Sequence, residues 1–452
     1  MIRAALLAAL AAFAGCAMDD RAEQPTRAMI AESSLPPMKG FGPTRAAAPT
    51  ASNANIASDF LSLHFELESG RALPLFTRFE GPITVRVAGA PTSNLRPDLH
   101  ALLGRLRSEA GIDIRETRAP EANITIEAVR RDEIRRALPD AACFVVPNVS
   151  SLAEYRRKRR SHDTNWSSLR TRERMAIFVP ADAPPQEVRD CLHEELAQAL
   201  GPLNDLYRLP DSVFNDDNVH TVLTGFDMLI LRATYAPELT SGMTKPEVAA
   251  RLPALLSRLN PRGDSERPRA VSLTPRSWIG DLQIALGPGH SNAARRHAAT
   301  HAAETARQLG WADHRRAFGE YMLGRIEQGD DPAAAQLHYA RALDYLSRTP
   351  GTDLHRAFIA SQTAAYAVAR GDGAAALRQI EPHLAVAARA ENAALLATLM
   401  LLQAEALDLT GRHDEADAVR LDSLGWARYG FGSDYAVRAK MREIAALSPR
   451  QS

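Results

Sequence analysis

The C-terminal third of the chain repeats a short glycine-containing pattern at a nearly constant interval. Gly329, Gly371 and Gly411 each follow a segment with helical periodicity, and an alanine lies five residues after each of them. The intervals are 371 − 329 = 42 and 411 − 371 = 40 residues. Glycine can adopt the left-handed turn between two helices, and a small residue lets paired helices pack closely. The pattern therefore predicts stacked helix pairs over residues 291–447.

This pattern resembles the tetratricopeptide (TPR) repeat, although its intervals exceed the period of about 34 residues of that family. The aromatic positions of the family are also poorly kept. Arrays of this kind present a concave surface to a partner. The resemblance therefore implies an all-α, TPR-like domain that binds a protein or a peptide.

Residues 59–262, which precede this tail, alternate between strand and helix patterns. Apolar and polar side chains alternate over residues 63–67 and 83–87, as they do in half-buried strands. Residues 97–110 have the apolar face of a helix that Gly111 ends, and a second helix is predicted from about Pro185. Further strands are predicted at 112–114, 123–128, 142–146 and 175–179. This order predicts an α+β domain with a mixed sheet.

The first sixteen residues have the pattern of a secretory signal peptide. Arg3 precedes an apolar run over residues 4–14, which is shorter than the ~20 residues of a membrane span. The run ends in Phe13-Ala14-Gly15-Cys16, which resembles the bacterial lipobox except that Phe13 replaces the usual leucine. The resemblance implies that Cys16 is lipidated and becomes the mature N-terminus. The alternative is an ordinary signal peptide that is cleaved nearby.

This interpretation predicts an exported lipoprotein that is anchored to a bacterial membrane and faces the periplasm. Residues 17–58 are rich in Ala, Pro, Thr and Ser and are predicted to be a flexible tether, and residues 263–290 a second linker. The chain has 54 basic and 54 acidic side chains. Since the net charge is zero, charge gives no reason to expect a nucleic-acid partner.

Cys143 and Cys191 are the two cysteines that remain besides Cys16. An exported protein meets an oxidising compartment, where two remaining thiols usually pair. The sequence therefore predicts a Cys143–Cys191 disulfide. The alternative is a pair of buried free thiols.

The predicted helix from Pro185 contains a degenerate version of a metal-binding motif. Residues 194–205 read EExxQxLGxxND, which has the spacing of the metzincin motif HExxHxxGxxHD with every histidine replaced. The resemblance implies a zincin-like α+β fold and places three residues at the metal-ligand positions, Glu194, Gln198 and Asn204.

The same resemblance assigns roles to the neighbouring residues. Glu195 takes the position of the general base, and Gly201, Asp205 and His193 would support the site. Residues 223–235 are similar to the last helix of matrixin-type metzincins, and residues 211–216 take the place of the Met-turn without its methionine. Residues from about 60 to 262 resemble a family of proteobacterial lipoproteins that is classified as a domain of unknown function.

Two functions are consistent with this motif. The three ligand positions offer one carboxylate and two amides, whereas zinc prefers imidazole and thiolate, and calcium usually needs more charge. The first hypothesis is therefore a lipid-anchored pseudopeptidase without a cofactor, which binds or assembles partners. The alternative is a divergent metal-dependent peptidase or hydrolase that holds a divalent metal and uses Glu195 as its general base.

Overall fold

A computed structural model describes residues 33–42, 46–139, 141–215, 217–270 and 272–449 of the chain. The predicted signal peptide and the predicted lipidation site at Cys16 lie outside these residues, as does the tether up to residue 32. Among the helices in the described ranges, none has both the length and the apolar character that are needed to cross a membrane.

A five-stranded sheet forms the centre of the N-terminal part. Its strands are β1 (Ile83–Gly89), β2 (Ile114–Glu116), β3 (Ile124–Val129), β4 (Phe144–Pro147) and β5 (Met175–Pro180). The spatial order is β2-β1-β3-β5-β4, and all neighbours are parallel except β4, which runs antiparallel to β5 at one edge. Every residue of β5 is buried, because Met175 and Ile177 face one apolar cluster whereas Ala176 and Phe178 face another.

Seven helices surround this sheet. They are α1 (Asn53–Phe65), α2 (Leu95–Ala110), α3 (Arg131–Ala137), α4 (Leu152–Lys158), α5 (Pro185–Leu200), α6 (Gly225–Thr234) and α7 (Lys245–Leu259). The main apolar core joins residues of α1, α2, α5, α6 and α7 to one face of the sheet. As predicted, α2 ends at Gly111, which has φ 71°, and α5 begins at Pro185.

The predicted strand at residues 63–67 is wrong, because residues 63–65 are the last turn of α1. Leu63, His64 and Phe65 are all buried, since this turn is covered on several sides. The alternation of apolar and polar residues there does not reflect one buried and one exposed face. α1 also begins at Asn53, inside the range assigned to the tether, and the Ser52 hydroxyl caps it by accepting a hydrogen bond from the Asn55 amide.

The rest of the chain is all-helical, as predicted. The helices are α8 (Arg276–Leu286), α9 (Asn292–Gln308), α10 (His314–Glu327), α11 (Pro332–Ser347), α12 (Asp353–Ala369), α13 (Gly373–Arg389), α14 (Ala393–Leu409), α15 (His413–Phe431) and α16 (Asp434–Ala445). α8 lies within residues 263–290, which were assigned to a linker. It folds as a helix because Trp278 is fully buried and packs edge-to-face on Trp311, with 5.4 Å between ring centroids.

The glycine pattern corresponds to left-handed turns in two of its three copies. Gly371 and Gly411 have φ angles of 76° and 77°, and the alanines five residues later, Ala376 and Ala416, are fully buried. Gly329 is not left-handed, and the corresponding alanine is only half-buried. The two later copies therefore follow the predicted geometry more closely than the first.

Residues 35–42 of the predicted tether pack on α15. The Lys39 amide donates a hydrogen bond to the Gly425 carbonyl at 3.0 Å, and the Phe41 ring stacks on Trp426 with 4.7 Å between centroids. A Cβ atom at Gly425 would lie 2.7 Å from the Lys39 side chain, so this close approach depends on the glycine. The flexible-tether prediction is therefore wrong for these residues, because apolar and backbone contacts hold them in place.

Candidate functional site

α5 carries the degenerate motif, and a disulfide joins it to the edge of the sheet. Cys191 of α5 is bonded to Cys143, which directly precedes β4, and their Cα atoms are 5.9 Å apart. The predicted pairing of the two cysteines is confirmed. The site helix is thus held to the one antiparallel strand of the sheet.

The N-terminal half of α5 packs directly against the helical region. Arg189 forms an ion pair with Glu391, and both side chains are almost fully buried. The Gln186 side chain donates to the Asn392 amide oxygen at 3.1 Å and accepts from the Ala394 backbone amide at 2.9 Å. The helical region is therefore in contact with the site helix.

The C-terminal end of α5 is closed by a buried arginine. The Arg172 guanidinium donates hydrogen bonds to the carbonyl oxygens of Gln198, Ala199 and Gly201. Carbonyls at the end of a helix have no hydrogen-bond partner within the helix. The guanidinium donates to these oxygens, which would otherwise be buried without a donor. Arg172 thus fixes the turn that follows α5.

Gly201 is required at this turn by its neighbours. A Cβ atom there would lie 2.8 Å from Cγ2 of Thr234 and 3.0 Å from Nε2 of His64. His64 is itself buried between the Phe60 carbonyl and the Thr234 hydroxyl, each at 2.9 Å. The turn glycine of the motif therefore has a packing reason in this chain.

Glu195, which takes the position of the general base, is buried, and its Oε2 atom has no hydrogen-bond partner. Burial, and to a smaller extent the nearby Glu194 and Glu68 carboxylates, raise the pKa of Glu195 well above its usual value. A raised pKa favours the protonated form of the carboxyl group. In that form it cannot accept a proton from water, as a general base must.

The three predicted ligand positions have different surroundings. The Asn204 amide donates to the Ser62 carbonyl at 3.1 Å, whereas Gln198 is buried near the Arg172 side chain. Glu194 is half-buried and lines a small cavity with Asp190, and neither of the other two positions lines that cavity. Within the described ranges, no group of three or more His, Cys, Asp or Glu side chains could hold a metal ion.

The zinc that the metzincin resemblance implies does not fit these residues. They offer one carboxylate and two amides, and hydrogen bonding turns the Asn204 amide nitrogen to a backbone carbonyl. Zinc sites in proteins use imidazole, thiolate and carboxylate ligands. No reaction step is therefore assigned to a zinc ion at these positions.

The supporting residues of the motif have structural contacts. Nδ1 of His193 accepts a hydrogen bond from the Leu223 amide at 3.0 Å. Burial, and then the nearby cations Arg189 and Arg105, hold the pKa of His193 well below its usual value. His193 is therefore neutral and joins α5 to the segment before α6. Asp205 is half-buried after the Gly201 turn.

The segment that takes the place of the Met-turn is held by an aspartate that was not predicted as a site residue. Asp227 of α6 accepts hydrogen bonds from the Ser212 hydroxyl at 2.5 Å, the Val213 amide at 3.1 Å and the Thr224 amide at 2.8 Å. Its position three residues after Thr224 is the sequence signal of a capping box, which could have indicated this role.

This segment also contacts the helical region. Nε2 of His355, in α12, lies 2.9 Å from Oδ2 of Asp217, and the Asn215 amide donates to the same oxygen at 2.8 Å. Ser212, Val213 and Thr224 are thus held to α6, and Asp217 is held to α12. Such long-range contacts have no signature in the local sequence.

Together, the fold and the site define a protein with a mixed α/β part and an all-helical part that contact each other through α5. Residues 53–254 match the model of a family described as "Protein of unknown function (DUF2927)". This match confirms the predicted relationship to a domain of unknown function. Neither a curated protein nor a solved structure matches the chain.

Proposed function

We propose that this chain is a lipid-anchored envelope protein that binds or assembles partners, and that its α/β part is a zincin-like pseudopeptidase. The observation that supports the proposal is the environment of two residues of the degenerate motif. At its general-base position, burial raises the pKa of the Glu195 carboxyl well above its usual value, and its third ligand position, Asn204, is hydrogen-bonded to the Ser62 carbonyl. These groups stabilise the fold and are not arranged to activate water.

The helical region supports the binding role. A groove of about 340 Å³ lies between the C-terminal helices. Its lining is mainly apolar and includes the polar side chains of Gln362 and Tyr366 of α12, Thr398 of α14 and Lys440 of α16. Stacked helix pairs commonly bind peptides along such a surface. The TPR-like character of these helices is part of the proposal.

The proposed location depends on the N-terminal sequence and on the disulfide. Residues 13–16 resemble a lipobox, and a Cys143–Cys191 bond is typical of a protein that folds in an oxidising compartment. The direct test is to replace Cys16 by serine in the bacterial host. We expect the variant to lose incorporated fatty acid and to leave the membrane fraction, whereas a variant that stays lipidated would contradict the anchor.

Activity is tested on the mature chain, purified without chelators, with a mixture of unfolded and short peptides as substrates. We expect no cleavage above that of the Glu195→Gln variant. Turnover that is lost in Glu195→Gln, and that also requires Gln198 and Asn204, would instead establish the divergent hydrolase.

Binding is tested by placing a photo-crosslinking residue at Gln362 or Thr398, inside the groove, in cells of the native host. The matched control is Leu337 of α11, which is 60% exposed and does not line the groove. We expect the same protein or peptide to be captured from both groove positions and not from Leu337. Equal capture from all three positions would contradict a specific groove.

A further inference from the structure

A small cavity lies between α5 and the segment from Val213 to Thr221. Its volume is about 60 Å³. Its polar lining consists of Asp190, Glu194, Asn215, Asn218, His220 and Thr221. Of the three ligand positions of the degenerate motif, Glu194 lines this cavity, whereas Gln198 and Asn204 do not.

Two acidic side chains enter this cavity from the same helix. Asp190 and Glu194 are four residues apart on α5, a spacing that places them one above the other on one face. Oδ1 of Asp190 is buried and has no hydrogen-bond partner. The adjacent cation, Arg189, is engaged in the ion pair with Glu391. Burial raises the pKa of Asp190 well above its usual value, Arg189 opposes this rise, and the nearby Glu194 carboxylate adds to it.

An independent observation comes from the opposite wall. Asn215 is 3% exposed, and its amide nitrogen donates to the Leu209 carbonyl at 2.6 Å and to Oδ2 of Asp217 at 2.8 Å. These two bonds use both amide hydrogens and identify the remaining atom as the oxygen. That oxygen, Oδ1, is buried and has no partner. A buried acceptor without a donor is costly, and here it belongs to a side chain that lines the cavity.

The remaining lining residues add further acceptors. Nε2 of His220 lies 3.1 Å from the Pro210 carbonyl, which can only accept, so this nitrogen carries the proton and Nδ1 carries the lone pair in the neutral ring. The Thr221 hydroxyl lies beside the Asp190 carboxyl. Carboxylate, amide and hydroxyl oxygens are the ligands that calcium and magnesium prefer.

We propose that this cavity binds one hard divalent cation, Ca²⁺ or Mg²⁺, through the carboxylates of Asp190 and Glu194, Oδ1 of Asn215 and the hydroxyl of Thr221. The cation offsets the repulsion between the two carboxylates and gives Asn215 Oδ1 a partner. Water completes the coordination. The proposal does not depend on whether the protein is a scaffold or an enzyme.

The cation has a structural consequence. It ties α5 to the segment that carries Asp217, which is hydrogen-bonded to His355 of α12. Occupancy of the cavity therefore stabilises the contact between the α/β part and the helical region. This role differs from that of a catalytic metal, since Glu195 does not line the cavity.

The test uses the mature chain with Cys16→Ser, dialysed against EDTA and then freed of the chelator. Either CaCl₂ or MgCl₂ is added during calorimetric titration and thermal unfolding. We expect one ion to bind per chain and to raise Tm, since a ligand of the native state stabilises it by mass action. Asp190→Asn and Glu194→Gln should each weaken binding at least about tenfold, which corresponds to about 1.4 kcal/mol.

Two controls separate this site from its neighbours. Glu187→Gln changes an acid of the same helix that pairs with Arg131 and does not line the cavity, so it should keep binding at the original strength. Gln198→Ala alters a ligand position of the metzincin motif and should also keep it. Binding that is lost in Gln198→Ala but not in Asp190→Asn would overturn the proposal.

Folding of the variants provides a second measurement. In EDTA, Asp190→Asn and Glu194→Gln each replace one of two neighbouring acids by a neutral amide, so their Tm should equal or exceed that of the parent chain. Only the parent should gain Tm when the ion is added. Failure of both ions to bind saturably at concentrations up to the millimolar range, or an equal gain in parent and variants, would contradict the site. Neither outcome bears on the peptide-cleavage test of the proposed function.

Discussion

Arg189 of α5 and Glu391, which lies in the turn between α13 and α14, form an ion pair in which the side chains are 10% and 3% exposed. Glu391 lies in a tight turn, where its φ angle is 53°, so its side chain is presented from a fixed position. The pair crosses the boundary between the α/β part and the helical region. We expect these two parts to unfold together.

Replacing Arg189 by methionine should destabilise the protein by about 3–5 kcal/mol, because the carboxylate of Glu391 stays buried without its cation. The double variant Arg189→Met/Glu391→Leu should lose less. Urea unfolding followed by fluorescence and circular dichroism measures both. As a control, Arg348→Ala breaks the exposed pair with Asp344 and should cost less than about 1 kcal/mol. Equal losses of unfolding free energy in Arg189→Met and Arg348→Ala would show that the buried pair contributes no more to stability than the exposed pair.

The disulfide should stabilise the native state by restricting the unfolded chain. Cys143 and Cys191 are 48 residues apart, and closure of a loop of this length corresponds to about 3–4 kcal/mol. The double variant Cys143→Ser/Cys191→Ser should lose about this much free energy of unfolding. In a Cys16→Ser background, thiol titration of the denatured protein should find no free thiol before reduction and two afterwards. Two reactive thiols before reduction would refute the bond.

Glu195→Gln should change how stability depends on pH. The pKa of Glu195 is raised in the folded protein, so the native state binds more protons than the unfolded state above about pH 4.5. Wild-type stability therefore falls as the pH rises through this window, and the glutamine variant does not share that loss. Relative to wild type, Glu195→Gln should gain stability from pH 4 to pH 8 in denaturant unfolding with EDTA. A constant difference across this range would contradict a raised pKa of Glu195.

Gly201→Ala should destabilise the protein by about 1–3 kcal/mol, as expected for an added methyl group in a packed site. The methyl would press on the Thr234 side chain and on His64. Gly104→Ala in α2 is the matched control, since its Cβ atom would meet nothing closer than Arg107 Nη2 at 4.0 Å. That variant should gain about 0.5–1 kcal/mol, because alanine favours a helix. Thermal unfolding measures the stability of both variants. A similar change in Tm for Gly201→Ala and Gly104→Ala would show that the packing around Gly201 does not cause the loss.

The strands of the sheet were predictable where the burial of their two faces determines the sequence pattern. The strand at 83–87 alternates because one face is buried and the other is partly exposed, and β5 is apolar throughout because both of its faces are covered. α5 was predictable from its periodicity and from Pro185, which suits the first turn of a helix. In contrast, the last turn of α1 is buried on several sides. The alternation of apolar and polar residues there does not indicate a strand.

The site was less predictable than the fold. Spacing along α5 placed Glu194, Gln198 and Asn204 by analogy with a motif, but tertiary contacts decide where these side chains lie. Asn215 lines the same cavity as Asp190 because tertiary contacts hold it there. Asp227 accepts a hydrogen bond from the nearby Val213 amide, and Asp217 accepts one from the Asn215 side chain. The four-residue spacing of Asp190 and Glu194 was visible in the sequence, but the opposite wall of the cavity was not.

The packing of residues 35–42 on α15 and of Arg189 on Glu391 limits where this protein can be truncated or fused to another protein. A fragment trimmed to the matched residues, 53–254, would end inside α7, would lack both sides of the first contact and would lack Glu391 of the second. Arg189 and Gln186 would then face solvent from the helix that carries the motif. In this chain the matched segment is thus not an exchangeable module, and we expect gene fusions or deletions at its borders to need compensating changes on α5.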